Sequence, residues 1–436
     1  MNNSMPRTTK YQLRWSPDSA LAAGYRALDW WTEPGGNIDA GGGLLRRIRP
    51  LAAAREFLGL AAAAYCIDRV TPRDAGSWSR QLELVVPVSD PDLWAAGLGH
   101  LETALRFLSG DKWHLRVKAA SARPSDQPEV DAAVDSVCLF SGGLDSLTGA
   151  IKLLAEQKRL CLVGHYEGGL TPSVQVALSQ ELGAAYGTSA VRLRQLFLRP
   201  APPRPNQINS LSGARERSSR TRSLLFIAAG LAVASSNGST TPLVIPENGF
   251  IGVNVPLTLS RTGSFSTRTT HPYFIATLGE FLKGIGIFNR LENPFRMMTK
   301  GELLVANAGN KQLQQLARQS ISCAHPEAAR WAKRPQGNCG YCFPCLIRRA
   351  SMYKVGWDIP ADYAFDVARD GRLMAGERGA DLRAVRTSLR AAFRATDVLR
   401  NGPIESSDIQ GFAGVHQRGR EELALWLNAQ DLQGAN

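Results

Sequence analysis

The sequence has 436 residues, of which 44% are hydrophobic, and carries a formal net charge of +13. Such a chain exceeds one typical domain and has the composition of a globular protein rather than a disordered one. Its longest apolar run, residues 224–234, is too short to cross a bilayer. Residues 1–7 hold no apolar stretch of the signal-peptide kind, so a cytoplasmic protein with no membrane association is expected. The positive charge favours anionic partners such as ATP, RNA or an acidic protein.

Residues 81–87 alternate in the manner of a half-buried strand. Asp90 and Pro91 then form a helix start, with Asp90 as the cap, and the helix runs through Leu101, Leu105 and Leu108 to Gly110. Residues 114–117 read as another strand. These elements predict an N-terminal α+β accessory domain over 1–118, with tryptophans such as Trp78 in its core. A Pro/Ser/Ala-rich linker follows over 119–133.

From residue 134 the pattern changes to strand, loop, helix, strand. Strands are expected over 137–140, 160–163, 191–196 and 243–245, and helices over 145–157, 171–187 and 221–235. Thr299-Lys300-Gly301-Glu302 has the spacing of a capping box. Alternating strands and helices predict an α/β fold, a parallel sheet with helices on both faces, over 134–355. Residues 356–436 read as an arginine-rich helical extension.

The segment Ser141-Gly142-Gly143-Leu144-Asp145-Ser146 lies between an expected strand and an expected helix. Two glycines allow close backbone approach to an anion, and a helix N-terminus offers free N–H groups. The loop lacks the lysine of a G-x-x-x-x-G-K-[ST] P-loop. Four of the seven cysteines, Cys323, Cys339, Cys342 and Cys345, are spaced C-x15-C-x2-C-x2-C. That spacing suits tetrahedral Zn2+, and an iron–sulfur cluster takes the same ligands. Gly337 and Gly340 are expected to let the chain fold back around the ion. Cys66, Cys138 and Cys161 sit among apolar residues and are expected in the core.

The 141–146 loop resembles the SGGxDS loop of the PP-loop ATP pyrophosphatases. Together with the cysteine run and Arg348, three residues after Cys345, it resembles the 7-cyano-7-deazaguanine synthase (QueC-like) family. The resemblance covers about residues 134–354. It implies that Ser141, Gly142, Gly143, Leu144, Asp145 and Ser146 bind ATP with its Mg2+. Asp145, Arg222 and Lys300 are then expected to serve catalysis, the two cations facing phosphates or the adenylate; each cation has the alternative of a plain helix-end charge. The implied reaction is adenylation of a 7-carboxy-7-deazaguanine-like carboxylate, then attack by an amine, either ammonia or a protein amine.

The chain departs from ordinary members in its length, in Gly164-His165-Tyr166-Glu167-Gly168-Gly169, and in Glu247-Asn248-Gly249 with the Ser/Thr/Arg-rich stretch beyond residue 257. The long form is similar to the QueC-like component of bacterial anti-phage defence systems such as Qat, which implies other proteins of a defence operon as partners. Two alternatives stand beside this reading. One is a tRNA-modifying PP-loop enzyme, favoured by the net charge and by the cluster Arg215, Arg217, Arg220 and Arg222. The other is a non-catalytic ATP-binding defence component.

Overall fold

The computed structural model describes residues 8–30, 36–73, 79–120, 132–203, 210–216, 219–257 and 268–434. Trp78, Arg217, most of the expected linker, the first seven residues and the Ser/Thr/Arg-rich stretch over 258–267 lie outside the described residues.

The chain begins with β1 (Thr9–Arg14), β2 (Arg26–Asp29), β3 (Ile38–Gly41), α1 (Ala52–Val70), β4 (Gln81–Val88), α2 (Pro91–Ser109) and β5 (Lys112–Ala119). The strand and helix expected over 81–110 form where the pattern places them. Asp90 caps α2 by accepting from the Leu93 N–H at 3.0 Å, and Gly110 closes it in the left-handed conformation. Four of these strands make one sheet in the order β2-β1-β4-β5, and every pair is parallel. The expected α+β character of this section is therefore corrected to α/β. Strand β4 at the centre of this sheet is almost wholly buried, whereas edge strand β5 alternates buried Trp113 and Leu115 with exposed Lys112, His114 and Arg116.

The second half continues with β6 (Ser136–Leu139), α3 (Leu144–Ala155), β7 (Leu160–Tyr166), α4 (Thr171–Tyr186), β8 (Val191–Pro200), α5 (Arg222–Asn237), β9 (Leu243–Val244), α6 (Gly249–Val253), α7 (Pro272–Gly284) and β10 (Leu291–Glu292). These five strands and β3 form a six-stranded sheet in the order β10-β9-β6-β7-β8-β3, parallel except for its last pair. Strand β6 shows why helices cover both faces. Val137 and Leu139 point into the core shared with α1 and α5, whereas Cys138 and Phe140 point into the core under α3 and α4. Cys66, Cys138 and Cys161 are buried there as expected.

The N-terminal section shares a core with the second sheet. Strand β3 pairs antiparallel with β8, and the Arg194 guanidinium donates to Leu44 O at 3.0 Å and Arg46 O at 2.6 Å. Helix α1 touches both sheets and packs along α5, and one continuous hydrophobic cluster spans the two. The apolar run over 224–234 is the buried body of α5.

The chain ends with α8 (Lys300–Val305), α9 (Lys311–Ala317), α10 (Phe343–Lys354), α11 (Gly371–Ala375), α12 (Ala380–Arg390) and α13 (Ile409–Gly434). The expected capping box forms at α8, with Thr299 and Glu302 exchanging hydrogen bonds. Helix α13 packs on α10, α6 and α8. Among the described residues, no helix is long and apolar enough to cross a membrane.

A buried charge cluster joins the halves. Asp68, at the end of α1, accepts from Arg80 Nη2 at 2.6 Å through one oxygen. Through the other it accepts from the N–H groups of Arg220 at 2.7 Å and Thr221 at 3.1 Å, just ahead of α5. Arg80 also forks onto Asp111. Asp68 is wholly buried, and removing one member of such a set leaves uncompensated charge, at a typical cost of about 3–5 kcal/mol. Asp68→Ala is expected to destabilise the protein by about that amount, read as a lowered midpoint in urea unfolding; a midpoint unchanged from wild type would contradict the cluster's role.

Candidate functional site

The six-stranded sheet reverses direction at β6. From there the chain builds outward through β7 and β8, then returns to place β9 and β10 on the other side. In open α/β sheets the crevice beyond the carboxyl ends of the strands at such a switch point is where ligands bind. Here the crevice is a cleft of about 310 Å³. It is lined by Ser141 and Ser146 after β6, Pro246 and Glu247 after β9, and Arg222 and Ser223 at the start of α5.

The 141–146 loop connects β6 to α3. Gly142 has φ +81°, a conformation that a side chain would strain, and Gly143 is the residue before the first turn of α3. No side chain caps that turn from Gly143. The Ser141 hydroxyl accepts from the Gly143 N–H at 3.2 Å and lies 3.2 Å from the Ser146 hydroxyl. The first-turn amides have no intrahelical acceptors; Leu144 N–H finds the Ser322 hydroxyl, and the positive end of the helix dipole lies beside the cleft through Ser146. Before the loop, buried Gln175 donates to Phe140 O at 3.0 Å and fixes the strand end.

Arg222 is the first residue of α5 and reaches the cleft with its side chain solvent-accessible. Its Nε donates to His165 Nδ1 at 3.2 Å, while His165 Nε2 lies 3.1 Å from Leu198 O. A carbonyl can only accept, so His165 is the neutral tautomer with its proton on Nε2. Burial, reinforced by the Arg222 charge, pushes the His165 pKa down to about 3. The ring is thus a lasting acceptor that aims the guanidinium.

Lys300 is buried and stands apart from the lining of the cleft. Its Nζ is 3.3 Å from Asp145 Oδ1, an ion-pair contact without hydrogen-bond alignment. The other Asp145 oxygen accepts from Asn248 Nδ2 at 2.7 Å. Asp145, Lys300 and Asn248 therefore form a set under the first turn of α3. Glu422 of α13 holds the Lys300 turn in place by accepting from the Thr299 hydroxyl and from the Gly301 N–H. Arg222 and Lys300, expected together, reach the loop from two sides and do not share one cavity wall.

Cys323, Cys339, Cys342 and Cys345 bring their sulfurs within 4.8 Å of one another. Cys323 and Cys342 are 3.9 Å apart, and Cys339 and Cys345 are 3.8 Å apart. A tetrahedron with metal–sulfur bonds of about 2.3 Å has edges of about 3.8 Å, so the set fits a tetrahedral ion such as Zn2+. Four thiolates leave no open coordination position, which makes the site structural. Gly340, at φ +86°, lets the chain pass Phe365 O, where a Cβ would come within 2.0 Å. Gly337 meets no such obstacle, so the expectation that it shares this role is corrected. Arg348 is a buried strut that donates to the Ser320 hydroxyl at 2.8 Å and to Ala317 O at 2.5 Å.

The cysteine cluster buttresses the loop directly. Ile321 N–H donates to Gly142 O at 2.9 Å, and the Ser322 hydroxyl accepts from the Leu144 N–H at 3.0 Å. Both residues immediately precede Cys323. Sequence reasoning did not single out Ser322, Gln175 or Asp68. Asp68 carried a usable signal, a carboxylate that follows an unbroken run of uncharged residues over 57–67 in a long apolar helix, which burial tolerates only with partners. His165, Glu247 and Asn248 stood out only as departures from a family pattern.

Two outcomes follow. The purified protein should carry a tetrahedral thiolate-bound metal, and Cys342→Ser should lose most of it by elemental analysis while lowering the melting temperature. An equal metal content in both proteins would contradict the assignment. Second, His165, His271 and His416 are buried, and burial depresses their pKa values to about 3, 4 and 3. As pH falls below about 6.5 the unfolded chain takes up these protons first, so stability is present above that pH and lost below it. The loss should approach ~1.4 kcal/mol per pH unit for each histidine between about pH 6 and 4, read by denaturant unfolding at several pH values.

No model of a known protein family matches the chain, and no characterised protein matches it in sequence.

Proposed function

We propose that the chain is a PP-loop ATP pyrophosphatase of the QueC-like type. In this reading it adenylates a 7-carboxy-7-deazaguanine-like carboxylate and passes the acyl group to an amine, as a cytoplasmic component of an anti-phage defence system. The observation that carries the reading is the cleft at the sheet's switch point, where Ser141 and Ser146 of the glycine loop face the Arg222 guanidinium.

The chemistry suits that arrangement. A carboxylate oxygen attacks the α-phosphorus of ATP, and pyrophosphate departs carrying the displaced charge. The positive end of α3, the Ser141 and Ser146 hydroxyls and the Arg222 cation are fixed in advance where that charge grows. Mg2+ would accompany the triphosphate and neutralise part of its charge. Lys300 and Asn248 fix Asp145 at the base of the loop, so Asp145 acts through the loop's shape. In the same reading the four-cysteine site holds Zn2+ and stiffens the loop through Ser322.

The arginine cluster lends the RNA alternative little support. Arg220 donates to Ser109 O at 2.7 Å and Arg215 folds back onto Ala201 O at 3.0 Å, while Arg222 lines the cleft and not an open surface. Guanidiniums bound internally do not form a phosphate-tracking surface.

The test is ATP-dependent pyrophosphate release with 7-carboxy-7-deazaguanine, with mass spectrometry of the products. Wild type should release pyrophosphate and form AMP. Arg222→Ala should lower kcat/KM roughly 100-fold, the scale for a donor to developing charge, and Asp145→Ala should lower it by at least about tenfold. Pyrophosphate release that ignores the deazaguanine acid would remove the substrate assignment, and turnover to ADP would remove the pyrophosphatase assignment.

A further inference from the structure

Behind the cleft lies a second, larger cavity of about 720 Å³. It is bounded by α7, the edge strand β10 and the segment leading into α13, and its lining includes Thr270, Glu292, Asn293, Arg296, Glu405 and Asp408. The wall between the cavities is thin: Thr269 lines the smaller cleft and its neighbour Thr270 lines the larger cavity. Glu247 sits at that wall. Its carboxylate accepts from the Thr270 hydroxyl, and its backbone carbonyl accepts from Asn293 Nδ2 at 2.9 Å. One side of Glu247 thus faces the loop and Arg222, and the other is gripped by two residues of the larger cavity.

The larger cavity is also acidic in a strongly basic protein. Three carboxylates line it, Glu292, Glu405 and Asp408, against the single guanidinium of Arg296, which pairs with Asp408 at 3.3 Å. Arg290, which is not part of the lining, pairs with Glu292 at 3.2 Å. The lining suits an ammonium or primary amine better than a phosphate or a carboxylate.

Resting on the adenylation reading, we propose that Glu247 is the base that takes a proton from the attacking amine, and that the amine arrives through the acidic cavity behind Thr270. The amine first leaves its ammonium proton with water at the cavity mouth, and the nitrogen lone pair of the free base forms the bond to the acyl carbon. The bond from that carbon to the AMP oxygen breaks, and its electron pair leaves with AMP. One N–H proton passes to the Glu247 carboxylate, which returns it to water. Such a base works best with a pKa near the working pH. Burial and the nearby Asp145 charge push Glu247 up to about 7, while the Thr270 hydrogen bond and Lys300 oppose the rise. The charged groups facing Glu247 are Asp145 and Lys300 below the loop and Arg222, which lines the same cleft.

The experiment measures amide formed per pyrophosphate released, with ATP, 7-carboxy-7-deazaguanine and ammonium chloride adjusted to hold free ammonia constant across the pH series. In wild type this ratio should rise with pH through about 7. Glu247→Gln should lower the ratio at least about tenfold and flatten its pH profile. Hydroxylamine, which needs less help in losing a proton, should restore the ratio in that variant to within about threefold. Thr270→Val, which removes a hydrogen bond to the carboxylate form, should move the wild-type midpoint to higher pH, and it decides the matter if Glu247→Gln does not fold. A ratio unchanged in Glu247→Gln, or a midpoint unmoved in Thr270→Val, overturns the role of Glu247 and leaves adenylation standing. Absence of pyrophosphate release from wild type overturns both.

Discussion

The Asp68 carboxylate is the contact on which the arrangement of the molecule depends. It is buried at the end of α1, and its two oxygens answer to different halves of the chain. One neutralises Arg80, which is itself tied to Asp111 below β5. The other receives the backbone N–H groups of Arg220 and Thr221, where an anion complements the positive end of α5. Because Arg222 follows directly, the N-terminal section sets the position of a cleft-lining cation that belongs to the other sheet. A charge buried this deeply is tolerable only when fully partnered, so folding of the two halves is bound together.

A second linkage runs from the other direction. The chain between α9 and the cysteine cluster lays Ile321 and Ser322 against the glycine loop, and Cys323 follows at once. A glycine-rich loop gains anion-binding geometry from flexibility that must be removed by something else. Here the supports are Gln175 from α4, Ser322 beside the thiolates and the Asp145–Lys300–Asn248 set below. Helix α13 adds a layer behind these by gripping the Thr299 turn through Glu422. The terminal helices thus brace the site from a distance.

Much of this was legible in the sequence because it rests on local rules. Strand, glycine loop and helix follow from an apolar run meeting Gly142 and Gly143, and the α2 start follows from Asp90 and Pro91. The four cysteines declare themselves by spacing alone. What escaped reading depends on contacts between distant segments. Nothing near residue 38 marks β3 as the antiparallel partner of β8, and short strands at the start of the chain gave no sign that they run parallel. The neutral His165 that aims Arg222 is invisible without the β7–β8 neighbourhood that supplies Leu198 O. Glu247 looked like a departure from a pattern, and its significance lies in the two cavities that meet there.

The pairing of β3 with β8 has a consequence for how the protein is made. Ile38 lies opposite Pro200, so about 160 residues must leave the ribosome before this edge of the sheet can close. At about 5–20 residues per second that is a wait of roughly ten to thirty seconds. Throughout it, the apolar faces of α1 and β1 have no counterpart from α5. The nascent chain in that interval is a natural client for chaperones, and the N-terminal section can reach its final form only after the glycine loop has already been synthesised.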